Sequence, residues 1–514
     1  MNHTLVLQSV LDNLASWPML LPEALVAATL VFILMLDFFF SRYQCYWLFP
    51  VAFTGIALAW CSKYWLSSQL TLHRTLPLFN QLLVLDASGI FFCLLLFSIT
   101  LFFLFLSAIP QAHLPLKTAY VVLILGILLG SCLLIMAFHW LTIYLGLTLI
   151  SLASALLIGS QTTPSSAEAS LKYLLYSMAT TAMMLWGMSY FYGFTGTLAL
   201  DPPGLELALR GVPGYAVLAV LLLCSSGVLF VLAAAPYHLW VPDVYQGAPA
   251  AAVAYLSTVP RLATVAVLLR FFHQFLPQLG AELQAYAQHS IAILALLTII
   301  VGNAAALSQN NLQRLMANAV IAQSGLLLAG IVASTNSQLG VLYYSAIYGV
   351  MGLAAWLGIK ILQHLTSGVD IDDFSGLGRQ FPMLGSGITL VMLSLVGLPP
   401  TAGFMGKFLV FTALWEHMQR TSSFLYAALL VASLLSTVLS LYYYLQLPYV
   451  LFCRVPQVST SIMPKVNKVE HIILWCLVTL LLVGFFAASS LLEVLGSWID
   501  GTQYGRLPGA LGGH

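Results

Sequence analysis

Apolar residues gather in runs of about 20, the length a helix needs to cross hydrocarbon, separated by short polar or proline-bearing turns. About fourteen such runs are predicted as helices, starting near Leu20, Trp47, Val84, Thr118, Leu141, Ala169, Gly214, Ala250, His289, Leu315, Leu339, Pro382, Phe424 and His471. No stretch is long and polar enough for a soluble domain. The expected fold class is therefore an all-α polytopic membrane protein, with residues 1–514 forming a single transmembrane domain. The first run, about Leu20 to Phe40, is too long for a signal-peptide core and no small-residue cleavage pattern follows it, so it is expected to remain as a helix.

Two runs are interrupted. The seventh breaks at AAAPYHLWVPDVYQGAP (Ala233–Pro249) and the twelfth at GLPPTAG (Gly397–Gly403). Prolines free backbone carbonyls, which persist at membrane depth only where protein or a hydrated cavity satisfies them. Paired broken helices in corresponding halves suggest inverted repeats about a midplane pathway; packing kinks are the other reading. The repeat reading divides the chain into residues 1–117 (three N-terminal helices), 118–275 and 288–453 (the two repeats) and 469–495 (a last helix).

Composition sharpens this picture. The chain is 61% apolar and 6% charged, with a net charge of +1. That balance excludes nucleic-acid binding and leaves the lipid bilayer as the first partner. The seven cysteines are scattered singly, with no CxxC or metal-ligand spacing, and read as small buried apolar residues. An even number of helices puts both termini on one side. Odd-numbered loops carry Arg42, Lys117, Arg314, Arg379, Arg454, Lys465 and Lys468, and even-numbered ones Lys63, Arg74, Arg210, Arg270 and Arg420. Seven against five places the odd loops in the cytoplasm, on a small margin.

Candidate chemistry lies in the few polar groups inside apolar runs. Lys407 follows the Pro399-Pro400 break; an ammonium there needs a polar or wet surrounding, and lysine can release its proton when buried. Arg261, after Pro260, is a fixed charge that cannot act as a proton way-station. Lys172 lies four residues after Glu168, the order that favours a helical ion pair. His238 sits at the edge of the seventh-helix break, either as a proton carrier or satisfying backbone groups freed by Pro236. Glu23 reads as a helix-start carboxylate, Asp37 as an interfacial ion beside Arg42, and His139 and His289 as histidines at helix starts. GFMGKF lacks the Ser/Thr and the α/β context of a phosphate loop, so no nucleotide is expected in this chain.

PYHLWVPDVYQGAP (Pro236–Pro249) with STVPR (Ser257–Arg261), GNAAALSQNNLQRLMANAVIAQSG (Gly302–Gly325), DIDDFSGLGRQFP (Asp370–Pro382) and LSLVGLPPTAGFMGKF (Leu393–Phe408) closely resemble the N subunit of proton-pumping NADH:quinone oxidoreductase, respiratory complex I. The similarity runs from about Pro22 to Glu416. It implies an antiporter-like subunit with two inverted five-helix repeats and broken helices 7 and 12, contributing to redox-coupled proton translocation without redox chemistry of its own. No cofactor is expected in this chain; flavin, iron–sulfur clusters and quinone belong elsewhere in such a complex, and the partners are other membrane-arm subunits. The implied location is the bacterial inner membrane, with a thylakoid or mitochondrial inner membrane as alternatives. An antiporter-like subunit of a cation/proton antiporter or membrane-bound hydrogenase is the alternative function.

In that family proton transfer is assigned to a glutamate on the fifth helix, lysines on the seventh and eighth, and a lysine on the twelfth. By motif these fall on Thr148, Val231, Arg261 and Lys407. Thr148 and Val231 cannot form the glutamate–lysine pair, and Arg261 stays loaded. The expected proton path is impaired or altered, leaving Lys407, Arg261, Lys172 and His238 as its candidates.

Overall fold

The computed structural model describes residues 13–39, 44–69, 75–108, 117–161, 163–200, 204–209, 211–333, 338–366, 368–455 and 467–503. Arg42, Arg74, Arg210 and Lys465, used above to read topology, lie outside them.

Eighteen helices carry the description below. They are α1 (Leu21–Phe39), α2 (Gln44–Gln69), α3 (Ala87–Ala108), α4 (Lys117–Met136), α5 (Trp140–Ile158), α6 (Pro164–Thr195), α7 (Gly214–Leu232), α8 (Val241–Gly247), α9 (Ala250–Leu256), α10 (Val259–Arg270), α11 (Ala281–Leu307), α12 (Leu312–Val332), α13 (Gln338–Thr366), α14 (Pro382–Val396), α15 (Ala402–Thr421), α16 (Phe424–Cys453), α17 (Lys468–Phe486) and α18 (Ala488–Gln503). Among the described residues eleven helical stretches are long and apolar enough to cross a membrane. The other expected passes are α2, α6 and the α14–α15 pair. The first two have ample length at 26 and 32 residues, but their apolar runs are diluted by Lys63 and by serines and threonines; the third is broken. The chain is an integral membrane protein.

α12 is the spine: its membrane-length window is wholly buried, like that of residues 250–279, whereas only 28% of the α16 window is. A helix enclosed by others can carry polar groups that lipid would reject. Outer helices instead show apolar residues to the bilayer, as at Leu152, Leu156 and Val438. A two-stranded hairpin, β1 (Leu76–Leu78) and β2 (Leu83–Leu85), lies over one end of α4, where Phe138 N–H donates to Leu82 O.

Both breaks end their first half in the same way. After α7, Ala233 takes φ 64° and the Ala234 N–H reaches back to Leu229 O; after α14, Gly397 takes φ 85° and Leu398 N–H reaches back to Leu393 O. This left-handed cap closes off a helix end, and glycine adopts it freely where alanine does so against a steric penalty.

Several expectations change. Lys63 and Arg270 are buried side chains, not loop charges. Removing them leaves three charges in the even-loop set, and removing Arg314, which lies inside α12, leaves six in the odd-loop set. His289 lies inside α11, which begins at Ala281, because Glu282 and Gln284 extend the helix beyond its apolar run. Among the described cysteines Cys93, Cys132 and Cys224 are buried, but Cys61, Cys453 and Cys476 are exposed, since an apolar thiol is also at home against lipid.

Candidate functional site: two broken helices and a buried polar row

Pro399-Pro400 ends α14 in mid-bundle and leaves its last carbonyls without helical partners. Lys407, one turn into α15, supplies them: its Nζ donates to Leu395 O at 2.9 Å and Val396 O at 2.8 Å. The side chain is buried, with 3% of the residue exposed. Carbonyls at a helix C-terminus carry partial negative charge, so an ammonium is well placed there. Among the described residues no carboxylate pairs with Lys407.

The first break is closed differently. Phe230 O accepts from Trp240 Nε1 at 3.2 Å, and Leu232 O accepts from Ser324 Oγ at 2.6 Å. Ala235 N–H donates to Thr298 Oγ1 at 2.9 Å. All are neutral groups. Val231 is buried beside them at 5% exposure. Thr148 turns its hydroxyl back on its own helix, donating to Leu145 O at 2.9 Å. α5 and α7 pack closely, with Leu147 against Gly227.

Arg261 occupies the first turn of α10 and is 1% exposed. Its Nη1 donates to Tyr348 Oη at 2.7 Å and to Val320 O at 3.4 Å, and its Nη2 to Tyr245 Oη at 3.5 Å. The guanidinium carbon lies 6.0 Å from the Tyr348 ring centre. Nε has no hydrogen-bond partner, and no carboxylate pairs with the group among the described residues. A cation here stands at the positive end of a helix, so phenol oxygens, a carbonyl and a ring face must hold it.

α12 joins the parts. Val320 O meets Arg261, Ser324 holds the end of α7, and Gln323 Nε2 donates to Leu395 O at 3.3 Å while its Oε1 accepts from Tyr344 Oη. This row was not foreseen; its sequence sign is that Asn318, Gln323 and Ser324 interrupt an apolar run.

Lys172 pairs with Glu168 at 2.8 Å, as the spacing suggests, and also with Asp243 of α8 at 2.8 Å. Asp243 binds Arg314 of α12 at 3.1 Å, so the break and α12 share a partly exposed ionic cluster. Sequence reading overlooked Asp243 and took Arg314 for a loop charge. His238 is half-buried, and its Nδ1 has no hydrogen-bond partner among the described residues. The structure thus places Arg261 and Lys407 along one α12-centred row, and Lys172 at its edge. Lys360 of α13, also overlooked, pairs with Glu470 of α17 at 3.1 Å. Asp37 accepts from Thr118 Oγ1 at 2.9 Å, and His139 caps α5 by accepting from Leu141 N–H at 3.2 Å.

Two broken helices, one of them bearing a buried lysine, around a buried polar spine define a class of antiporter-like membrane subunit. A family described as NADH:quinone oxidoreductase/Mrp antiporter, transmembrane, matches residues 137–436, and the chain belongs to it. Within that class it is 33% identical to the NADH-quinone oxidoreductase subunit N of Anaeromyxobacter sp. (strain Fw109-5), over 75% of this chain and 78% of that one. A chain of respiratory complex I from Thermus thermophilus with bound Aureothin superposes with a TM-score of 0.74 at 28% identity, covering 92% of this chain and 98% of that one. A chain of the membrane-bound sulfane sulfur reductase, an archaeal respiratory membrane complex, shares the fold at TM-score 0.82 and 20% identity, covering 95% and 99%.

Proposed function

We propose that this chain is a membrane-arm subunit of a complex I-type quinone oxidoreductase in a bacterial inner membrane, and that its first proton half-path no longer conducts in the ordinary way. The membership reading is supported by the subunit N relatives. The observation that carries the second part is the contrast between the two breaks: neutral donors and Val231 at the first, a buried lysine at the second. A proton relay needs groups that load and unload. Arg261 keeps its proton, while Thr148 and Val231 offer no group that titrates near neutral pH.

On this reading Lys407 exchanges a proton with one side only, or responds to charge in a neighbouring subunit. Residues 118–275 and 288–453 act as the two inverted units. Electron transfer, with flavin, iron–sulfur clusters and quinone, belongs to other subunits, and this chain has no redox chemistry of its own.

The test is purification of the tagged chain from native membranes in mild detergent. Flavin- and iron–sulfur-bearing subunits with quinone reductase activity are the expected companions. Recovery with cation/proton antiporter or hydrogenase subunits alone would overturn the assignment.

A further inference from the structure

Several charges within the bundle are answered inside it. Lys63 of α2 donates to Glu23 Oε1 of α1 at 2.6 Å. Arg270 holds Asp86 at 2.7 Å and also donates to Ile135 O and Ala137 O. Lys468, the first residue of α17, is different. It is exposed, and among the described residues no carboxylate pairs with it.

Lys468 stands at a cleft of about 500 Å³ between the start of α17 and the start of α14. One wall is made by Lys468, His471 and Ile472, whose i, i+3, i+4 spacing puts them on one face of α17. Gln380, Phe381 and Met383 form the other. Met383 and Ile472 are 60% and 61% exposed, and Ile472 lies a helical turn further into the membrane than Lys468. Arg379, next to Gln380, adds a fixed positive charge nearby and is anchored on Phe452 O and Cys453 O. The carboxylate of the same α17 turn, Glu470, does not cancel these charges at the rim. Its side chain is 9% exposed and turned to Lys360. The cleft thus has a positive, hydrogen-bonding rim over an apolar floor.

We propose that this cleft binds an anionic glycerophospholipid. The phosphate meets the Lys468 ammonium and a His471 N–H, and an acyl chain lies along Met383 and Ile472. Basic pockets between membrane helices on the cytoplasmic side suit such headgroups. The loops that lead into α14 and α17 are odd-numbered, carrying Arg379 and Lys468, which puts the cleft in the cytoplasmic leaflet. A free anion would use the rim alone; the exposed floor beneath it is what a lipid covers. Bound there, the lipid bridges α14 and α17.

The experiment reconstitutes the intact complex in nanodiscs containing a trace of photoactivatable phosphatidylglycerol or, at the same mole fraction, photoactivatable phosphatidylcholine. Labelled peptides are then mapped by mass spectrometry. Phosphatidylglycerol is expected to label residues 380–384 and 468–472 about fivefold more than phosphatidylcholine, the factor that one lysine near anionic lipid confers. Lys468→Gln/His471→Gln should bring the two probes level, while Lys468→Arg, which keeps the charge, should retain the preference. Both positions lie at the helix start, and assembly of each variant is checked by blue-native electrophoresis. Equal labelling in wild type or an undiminished preference in the double variant would overturn the proposal. So would loss of the preference in Lys468→Arg. Suppression of the preference by added inorganic phosphate would mark a soluble-anion site instead, and no labelling by either probe would mean that a neighbouring subunit covers the cleft; each contradicts the lipid assignment.

Discussion

Lys407 Nζ and Gln323 Nε2 donate to one acceptor, the carbonyl of Leu395, at 2.9 and 3.3 Å. The lysine of the second broken helix is thereby joined to the α12 row, whose Val320 carbonyl receives Arg261. One carbonyl serves two donors because the proline break has released it from the helical ladder.

Replacing Gln323 by leucine removes one of those donors but leaves Lys407 in place. The larger consequence is at Tyr344, whose buried hydroxyl loses its acceptor. An unsatisfied buried polar group costs about 1–3 kcal/mol, so Gln323→Leu should lower the thermal stability of the detergent-purified complex. Gln323→Leu/Tyr344→Phe should recover most of the loss.

The Asp86–Arg270 pair gives a sharper contrast. Asp86→Asn leaves a guanidinium buried with only carbonyl acceptors, and breaking such a pair typically costs about 3–5 kcal/mol. Asp86→Asn/Arg270→Met removes the stranded charge as well. Thermal unfolding or expression of assembled complex should rank wild type first, the double variant next and the single variant last.

Gly403 sits where α15 crosses the end of α14. A Cβ there would lie 1.9 Å from Ser394 O, inside backbone that cannot give way. Gly403→Ala is expected to abolish assembly, whereas Gly193→Ala, whose Cβ would meet nothing within 4 Å, should assemble normally. Blue-native electrophoresis of the two variants checks this.

Asp243 bridges Lys172 and Arg314 at a partly exposed site. Exposed ion pairs are weak and screened by salt. Asp243→Asn should therefore assemble normally, with any effect on turnover disappearing as ionic strength rises. Turnover of the purified complex across a salt series checks it.

How far the sequence could be read depended on the kind of signal. Helices were legible because membrane length and apolar character are local properties, and the breaks because Pro236 and Pro399-Pro400 are unmistakable in apolar runs. Lys407 stood out for the same reason. Lys63 and Arg270 did not: each lies near a helix end, where a charge usually marks a loop, and their partners Glu23 and Asp86 are 40 and 184 residues away in sequence. The α12 row was equally hidden, because it depends on which carbonyls a break sets free and which neighbouring helix faces them.

The most direct test of the altered half-path is the proton-to-electron ratio of the complex reconstituted in sealed vesicles, with Lys407→Ala beside wild type. The expected result is a wild-type ratio below that of a complex whose antiporter-like subunits all keep their titratable residues, and little further loss in Lys407→Ala. A full wild-type ratio that falls in Lys407→Ala would contradict the account.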